Sequence, residues 1–354
     1  EKLFFYFNIF IVKLISFADA GSDFLFTSFI PEIGYDQALV NFAFRALPVI
    51  IFFSSLIAVT YHLGIIQFVI KNISLLMEKT MKTSGAETLS ISANIFIGQT
   101  EAPILIRPYI SLMTKSELMA VMVGGFATVA GSVMALYVTW LNNIPGIAGH
   151  LLAASVMSAP AALMVAKIIY PETKQLKTIK PDKISLKSND NNIVDAVGRG
   201  ATEGLKLAAN VAAMLIAFIS MVAMINFALG LLGTSMQEIL GLLFKPLAWT
   251  MGIPWKDAEI VGVLLGEKIV LTELIAFRDL SDYVAKNILS ERSIIITSYA
   301  LCGFANFGSI GIQLGGIGSM APERKKDLSR IVFKAMLGGA IASWLTASIV
   351  GIII

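Results

Sequence analysis

Charge is what this chain lacks most. Only 14% of its 354 residues are Asp, Glu, Lys or Arg, against about 25% in a soluble domain. Too few charges remain to cover a water-facing surface. That excludes the one or two soluble α/β domains the length alone would suggest. The net charge of +3 is too small for a nucleic-acid-binding surface, so no nucleic-acid partner is expected. Cysteine is nearly absent: Cys302 stands alone in an apolar run, and no internal disulfide is possible. The two histidines, His62 and His150, flank hydrophobic segments far apart. They offer neither a metal cluster nor a Ser/His dyad, so no catalytic residue is assigned and no cofactor expected. The opening at Glu1 lacks the basic start and small-residue cleavage site of a signal peptide. It reads as a trimmed or partly ordered end.

What is there is apolar sequence, 56% of the chain, in long blocks. A bilayer core of about 30 Å takes roughly 20 apolar residues per helical crossing. The expected fold is therefore an all-α integral membrane protein. Basic residues gather in loops, as on the cytoplasmic side of membrane proteins. Residues 3–18 form a first apolar segment, and 19–35 mix aromatics with acids, which predicts a helix lying on the membrane surface. Residues 38–59 read as a spanning helix whose Arg45 must face protein or snorkel. Segments 117–141, 147–170, 205–232, 293–319 and 331–354 read as further crossings, and 171–200 as the one hydrophilic, lysine-rich loop. Two stretches break the pattern. Residues 62–112 and 236–277 hold short apolar pieces separated by polar runs and, in the second, by Pro246, Pro254 and a charged turn. Each reads as a re-entrant helical hairpin, since irregular backbone is tolerated in a membrane where it lines a cavity.

These stretches belong to a repeat. Gly125-Phe126-Ala127-Thr128-Val129-Ala130-Gly131-Ser132 parallels Gly303-Phe304-Ala305-Asn306-Phe307-Gly308-Ser309. Each word follows a charged loop with a serine, Lys115-Ser116-Glu117 or Glu291-Arg292-Ser293, and each lies downstream of an acid, Glu101 or Glu273. With the lysine-rich loop in the cytoplasm, counting crossings makes the hairpins enter from opposite faces. Paired interrupted segments in an inverted repeat point to a transport site near the midplane. The expected division is 1–61, a spanning helix, surface helix and scaffold helix; 62–170, the first repeat; 171–204, a basic loop with an amphipathic helix; 205–235, a long scaffold helix; and 236–354, the second repeat.

Polar residues concentrate at the breaks. Gly98 frees the backbone and Pro103 removes an N–H, so Gln99, Thr100 and Glu101 should sit on a non-helical tip. A glutamine both donates and accepts while a carboxylate accepts. Such a set reads the edge of a heterocycle or an amide, or else caps a helix and holds the hairpin closed. Glu273 lies five residues from both Lys268 and Arg278, outside the favoured helical pairing distances. It can accept two hydroxyls, as a vicinal diol offers. Asn306 and Ser309 share a helix face, for a ligand or for helix packing. Asn94, a carbonyl near Ile97, Thr128 and the Val129 carbonyl can offer oxygens to a cation where helices unwind; spacing leaves this open.

On these words the chain resembles the concentrative nucleoside transporter family, bacterial members included. They are Gly98-Gln99-Thr100-Glu101-Ala102-Pro103, Leu271-Thr272-Glu273, and the run from Cys302 to Ile310. The likeness covers nearly the whole chain. It departs at the start, where one apolar segment precedes the surface helix and members have more. The resemblance implies a homotrimer in the bacterial inner (plasma) membrane, with a scaffold domain and a transport domain that moves like an elevator. It implies cation-coupled symport of nucleosides such as uridine, not enzymatic activity. By motif position, Gly98, Gln99, Thr100, Glu101 and Val133 would line the nucleobase. Glu273, Asn306 and Ser309 would hold the ribose hydroxyls, with Phe304 beside the ligand. Asn94, Ile97, Thr128 and Val129 would surround Na⁺, and the two oxygen-bearing side chains among them favour Na⁺ over H⁺. The rival readings are H⁺ coupling, or an elevator transporter for another small polar solute such as a dicarboxylate.

Overall fold

The computed structural model describes residues 6, 8–15, 17–18, 47–173 and 190–354. The surface helix expected at 19–35, Arg45 and most of the lysine-rich loop lie outside them. Residues 8–15 are helical. The regular elements that follow are all helical: α1 (Leu47–His62), α2 (Ile65–Met81), α3 (Gly85–Asn94), a 3₁₀ turn (Ala102–Ile106) running into α4 (Arg107–Ile110), α5 (Lys115–Ala127), α6 (Gly131–Trp140), α7 (Ile147–Ile169), α8 (Ile193–Gly230), α9 (Met236–Thr250), α10 (Ala258–Val270), α11 (Glu273–Ala285), α12 (Glu291–Leu301), α13 (Phe307–Met320) and α14 (Lys325–Ile353). Among the described residues, Lys115–Trp140, Ile147–Ile169 and Pro322–Ile353 are long and apolar enough to cross a membrane. On α8, Ile216 and Phe227 are 71% and 76% exposed, which suits a lipid-facing helix better than a wet one.

Several expected boundaries shift. The crossing expected at 117–141 is interrupted at Thr128–Ala130, and that at 293–319 at Cys302–Asn306. Pro246 lies inside α9 and separates nothing. α8 starts at Ile193, within the stretch read as loop, because Asn192 and Asp195 cap its first turn (2.9 Å). The last helix starts at Lys325, six residues before its expected start at 331.

The chain forms two compact units. One comprises Glu1–Ile66, Gly131–His150 and Lys187–Ala223. In it α1 packs on α6 around Ala18, Val49, Phe53 and Ala135. Gly200 and Gly204 bring α8 onto the backbone of α1: a Cβ on Gly200 would stand 2.6 Å from Ser55 Cα, and one on Gly204 2.7 Å from Ile51 Cα. Small residues four apart are how membrane helices approach closely.

The other unit comprises Gln67–Ala130, Leu151–Leu186 and Met224–Ile354, and holds the first interrupted segment from Gln67 on and the whole of the second. In the first segment, Ser84 and Thr114 start α3 and α5 with reciprocal caps to Glu87 and Glu117, each cap N–H 2.8 Å from the carboxylate. Such caps contribute about 1 kcal/mol. The buried Glu87 also takes Lys167 Nζ at 2.7 Å. In the second segment α9 lies along α10 at glycines: a Cβ on Gly262 would stand 2.5 Å from Gly241 O. α5 is buried all round and packs on α14, where a Cβ on Gly339 would stand 2.4 Å from Phe126 Cβ. Each segment is clasped by an arginine. Arg324 donates to Ile110 O, Ser111 O and Met113 O at 3.2, 2.9 and 2.6 Å, and Arg292 to Gly252 O and Gly351 O at 3.1 and 2.6 Å.

Two glycines on α8 make a paired test. Gly200→Ala should lower the thermal midpoint of the detergent-solubilised protein, the backbone contact costing about 1–3 kcal/mol as overpacking. Gly198→Ala, with nothing within 4 Å, should raise stability by up to about 1 kcal/mol from helix propensity. Equal midpoints for the two variants would reject the close approach.

Candidate functional site

The site is built on four places where helices stop. The first is the turn after α3. Ile95 to Glu101 are non-helical, ended by Pro103 in the first turn of the 3₁₀ segment. Gly98, Gln99, Thr100 and Glu101 sit on this turn, as expected. Glu101 is exposed, and its Oε2 accepts from Gly98 N at 3.0 Å, so the carboxylate helps hold the turn. Thr100 packs against α13, where a Cβ on Gly316 would stand 2.7 Å from its Cγ2.

The second place is the break between α10 and α11. Thr272 is extended and accepts from Leu274 N at 3.3 Å. Glu273 therefore opens α11, buried, where a carboxylate is favoured by the helix N-terminus. Lys268 turns away to donate to Ala300 O at 2.8 Å, while remaining an electrostatic neighbour of Glu273.

The third place is the break between α12 and α13. Gly303 has φ +122°, and a Cβ there would stand 2.8 Å from both Phe126 O and Ala127 O. Only glycine allows both the conformation and the approach. The half-buried Phe304 lies in this break. Asn306 caps α13: its Oδ1 accepts from Ser309 N at 2.8 Å, and its Nδ2 donates to Glu273 Oε2 at 2.7 Å. Ser309 Oγ in turn accepts from Gln99 Nε2 at 3.3 Å.

These bonds join three breaks into one set. Gln99, Glu273, Asn306 and Ser309 are all buried and run from the α3 turn to the α10–α11 break. The sequence reading missed one member, Gln313. It lies one turn beyond Ser309 and donates to Gln99 Oε1 at 3.0 Å and Met122 O at 3.1 Å, while its own Oε1 has no partner among the described residues. The spacing Asn306, Ser309, Gln313 follows one helix face and was the available signal. Gly125 makes room for it: a Cβ there would stand 2.6 Å from Gln313 Nε2. Val133 is buried on α6, in the other unit.

The fourth place is the break after α5. Thr128 is extended and donates its hydroxyl to Gly124 O at 2.9 Å, and Val129 follows without helix. α3 packs on α5 and ends at Asn94. Asn94 is 1% exposed, and neither Oδ1 nor Nδ2 finds a partner among the described residues. Leaving such groups unpaired costs roughly 1–3 kcal/mol each. An amide oxygen beside an unwound helix end suits a hard cation, which takes oxygen ligands. Ile97 lies in the adjoining turn, mostly buried.

Comparison with known proteins gives a consistent picture. A family model for the C-terminus of Na⁺-dependent nucleoside transporters matches residues 150–351, and one described as nucleoside recognition matches 43–143. The chain is 44% identical to mouse sodium/nucleoside cotransporter 1 over 96% of its own length, and spans 54% of that protein. It is 42% identical to the uncharacterised transporter YutK of Bacillus subtilis, covering 100% of this chain and 87% of that one. A structure of CNTnw in an inward-facing substrate-bound state superposes with a TM-score of 0.90 at 40% identity, over 99% of this chain and 85% of the other.

Gln313→Ala leaves Gln99 Oε1 and Met122 O without this donor. It should lower unfolding free energy by about 1–3 kcal/mol, read from chemical denaturation in detergent. A variant as stable as wild type would show that Gln313 does not hold the set together.

Proposed function

The chain belongs to the concentrative nucleoside transporter family, a family of membrane transporters and not of enzymes, and on that premise we propose that it imports nucleosides as a Na⁺-coupled symporter. The observation that carries this reading is the buried set Gln99, Glu273, Asn306, Ser309 and Gln313, hydrogen-bonded across three helix breaks. A uridine-like nucleoside presents a planar ring with donors and acceptors and a sugar with a vicinal diol. Gln99 and its turn, with Gly98, Thr100 and Glu101, meet the ring. Glu273 accepts from the diol while Asn306 and Ser309 orient it, with Phe304 packing alongside. Exchanging internal hydrogen bonds for ligand ones keeps buried groups satisfied through the binding step.

Na⁺ binds at Asn94, Ile97, Thr128 and Val129. Its energy is sufficient: one charge crossing 100 mV is worth about 2.3 kcal/mol, roughly a fiftyfold concentration ratio. The two interrupted segments act as re-entrant hairpins in a transport domain, carried past a scaffold by an elevator motion. The division at 61, 170, 204 and 235 follows the chain order of that scheme, whereas the compact units group Gly131–His150 with Glu1–Ile66. The assembled protein is a homotrimer in a bacterial inner membrane. A dicarboxylate cargo fits less well: it needs positive charge, whereas Arg107 is exposed and the set contains Glu273.

Glu273→Gln should weaken uridine binding by about 1.5–3 kcal/mol, the range for a hydrogen bond to a charged group. Isothermal titration of the purified variant tests this, and wild-type affinity would remove the ribose role. In proteoliposomes, uptake should collapse when the Na⁺ gradient is dissipated. Uptake sustained by a proton gradient alone would reject Na⁺ in favour of H⁺. Asn94→Ala should abolish the rise in thermal midpoint that NaCl produces over KCl in the wild type. A retained difference would move the ion elsewhere.

A further inference from the structure

A single backbone group sets the direction of the hydrogen bonds around Gln99. Met122 O, on α5, can only accept. The Gln313 atom that meets it at 3.1 Å is therefore the amide nitrogen, Nε2. The other N–H of Nε2 goes to Gln99 at 3.0 Å, which makes the Gln99 atom there Oε1. The nitrogen of Gln99 is left on the other side of its amide, where it donates to Ser309 Oγ at 3.3 Å. Turning Gln313 over would set its Oε1 against the Met122 carbonyl, two acceptors with no proton between them. Turning Gln99 over would set two N–H donors against each other.

Neither amide has room or solvent to escape this order. Gln313 is fully buried and Gln99 nearly so. Gly125 admits both against α5: a Cβ there would stand 2.6 Å from Gln313 Nε2 and 3.1 Å from Gln99 Cβ. Met122, Gly125, Gln99, Ser309 and Gln313 all belong to one compact unit. Both N–H groups of Gln313 are spent on protein acceptors, so its donors act through Gln99 and not on the cargo. Ser309 Oγ, having accepted from Gln99, keeps its own O–H to donate.

We propose that Gln313 is a positioning residue that fixes the polarity of recognition, holding the Gln99 amide so that Nε2 offers its second N–H to the cargo. This role rests on the nucleoside reading of the site and deepens it by naming what must meet Gln99: an acceptor, such as a ring carbonyl oxygen. A glutamine free to turn offers a base either a donor or an acceptor and discriminates little. One held by Gln313 rejects a ring that brings an amine to the same place, because two donors then face each other and a buried polar group goes unpaired.

The test is isothermal titration of the full chain in detergent with uridine, cytidine and isocytidine. Uridine has oxygens at ring positions 2 and 4, cytidine an amine at 4, and isocytidine an amine at 2. Wild type should bind one of the two amine-bearing nucleosides about tenfold more weakly than uridine, the effect of one unpaired buried donor. Gln313→Met keeps the bulk and removes both N–H groups, so Gln99 can turn its Oε1 to the amine. Its discrimination should fall to about twofold or less, while its discrimination against 2′-deoxyuridine, which reports on the diol, stays at the wild-type value. Gln313→Glu serves should that variant fail to fold. Its carboxylate can only accept from Gln99, so the Gln99 amide turns over and the preference should reverse toward the amine. Equal wild-type affinity for the three nucleosides, or wild-type ratios in the variants, would overturn the role of Gln313. A wild type that binds no nucleoside at all would instead remove the reading of the site, and this role with it.

Discussion

A helix that ends in an apolar interior strands backbone carbonyls that water cannot reach, and this constraint shapes the second unit. The end of α12 solves it with a buried ammonium and a hydroxyl. Lys268 donates to Ala300 O, and Ser343 Oγ to Cys302 O at 2.6 Å. Only with those carbonyls satisfied can the chain leave the helix, reverse at Gly303 and begin again under the cap of Asn306. The same cap then aims Asn306 at Glu273. The groups proposed to bind cargo are thus by-products of how the break is tolerated.

The two breaks solve the problem unequally. At the break after α5 the Thr128 hydroxyl turns back to its own helix, and the neighbouring Asn94 amide finds no partner among the described residues. At the break after α12, fixed protein donors fill the corresponding role. One break carries its own cation as a lysine side chain, and the other presents an amide oxygen with no partner among the described residues.

Much of this was legible from the residues. Hydropathy and scarce charge identify an all-helical membrane chain, and Gly98 and Pro103 mark the first turn because both have strong backbone consequences. The breaks at Thr128–Ala130 and Cys302–Asn306 fall inside stretches that read as crossings, and only the first is signalled, by the oxygens that Thr128 and Val129 could offer a cation where a helix unwinds. Glycine, serine and threonine are ordinary in membrane helices and barely lower an averaged hydropathy, so the interruption leaves no dip. Pro246 misled in the opposite sense, since α9 keeps its course around it. Gln313 was missed because its partner Gln99 is 214 residues away, and one polar residue on a helix otherwise reads as packing.

In the proposed site, the Asn306–Glu273 and Gln99–Ser309 bonds mean that the groups assigned to recognition already occupy one another. Binding is then an exchange reaction, and affinity is a difference between two hydrogen-bonded states and not a sum of new contacts. A molecule that offers only part of the complementary pattern breaks internal bonds without replacing them all, and is disfavoured more steeply than its missing atoms suggest. Selectivity of this kind resides in the protein's competing self-contacts, and it persists without a rigid, preformed cavity.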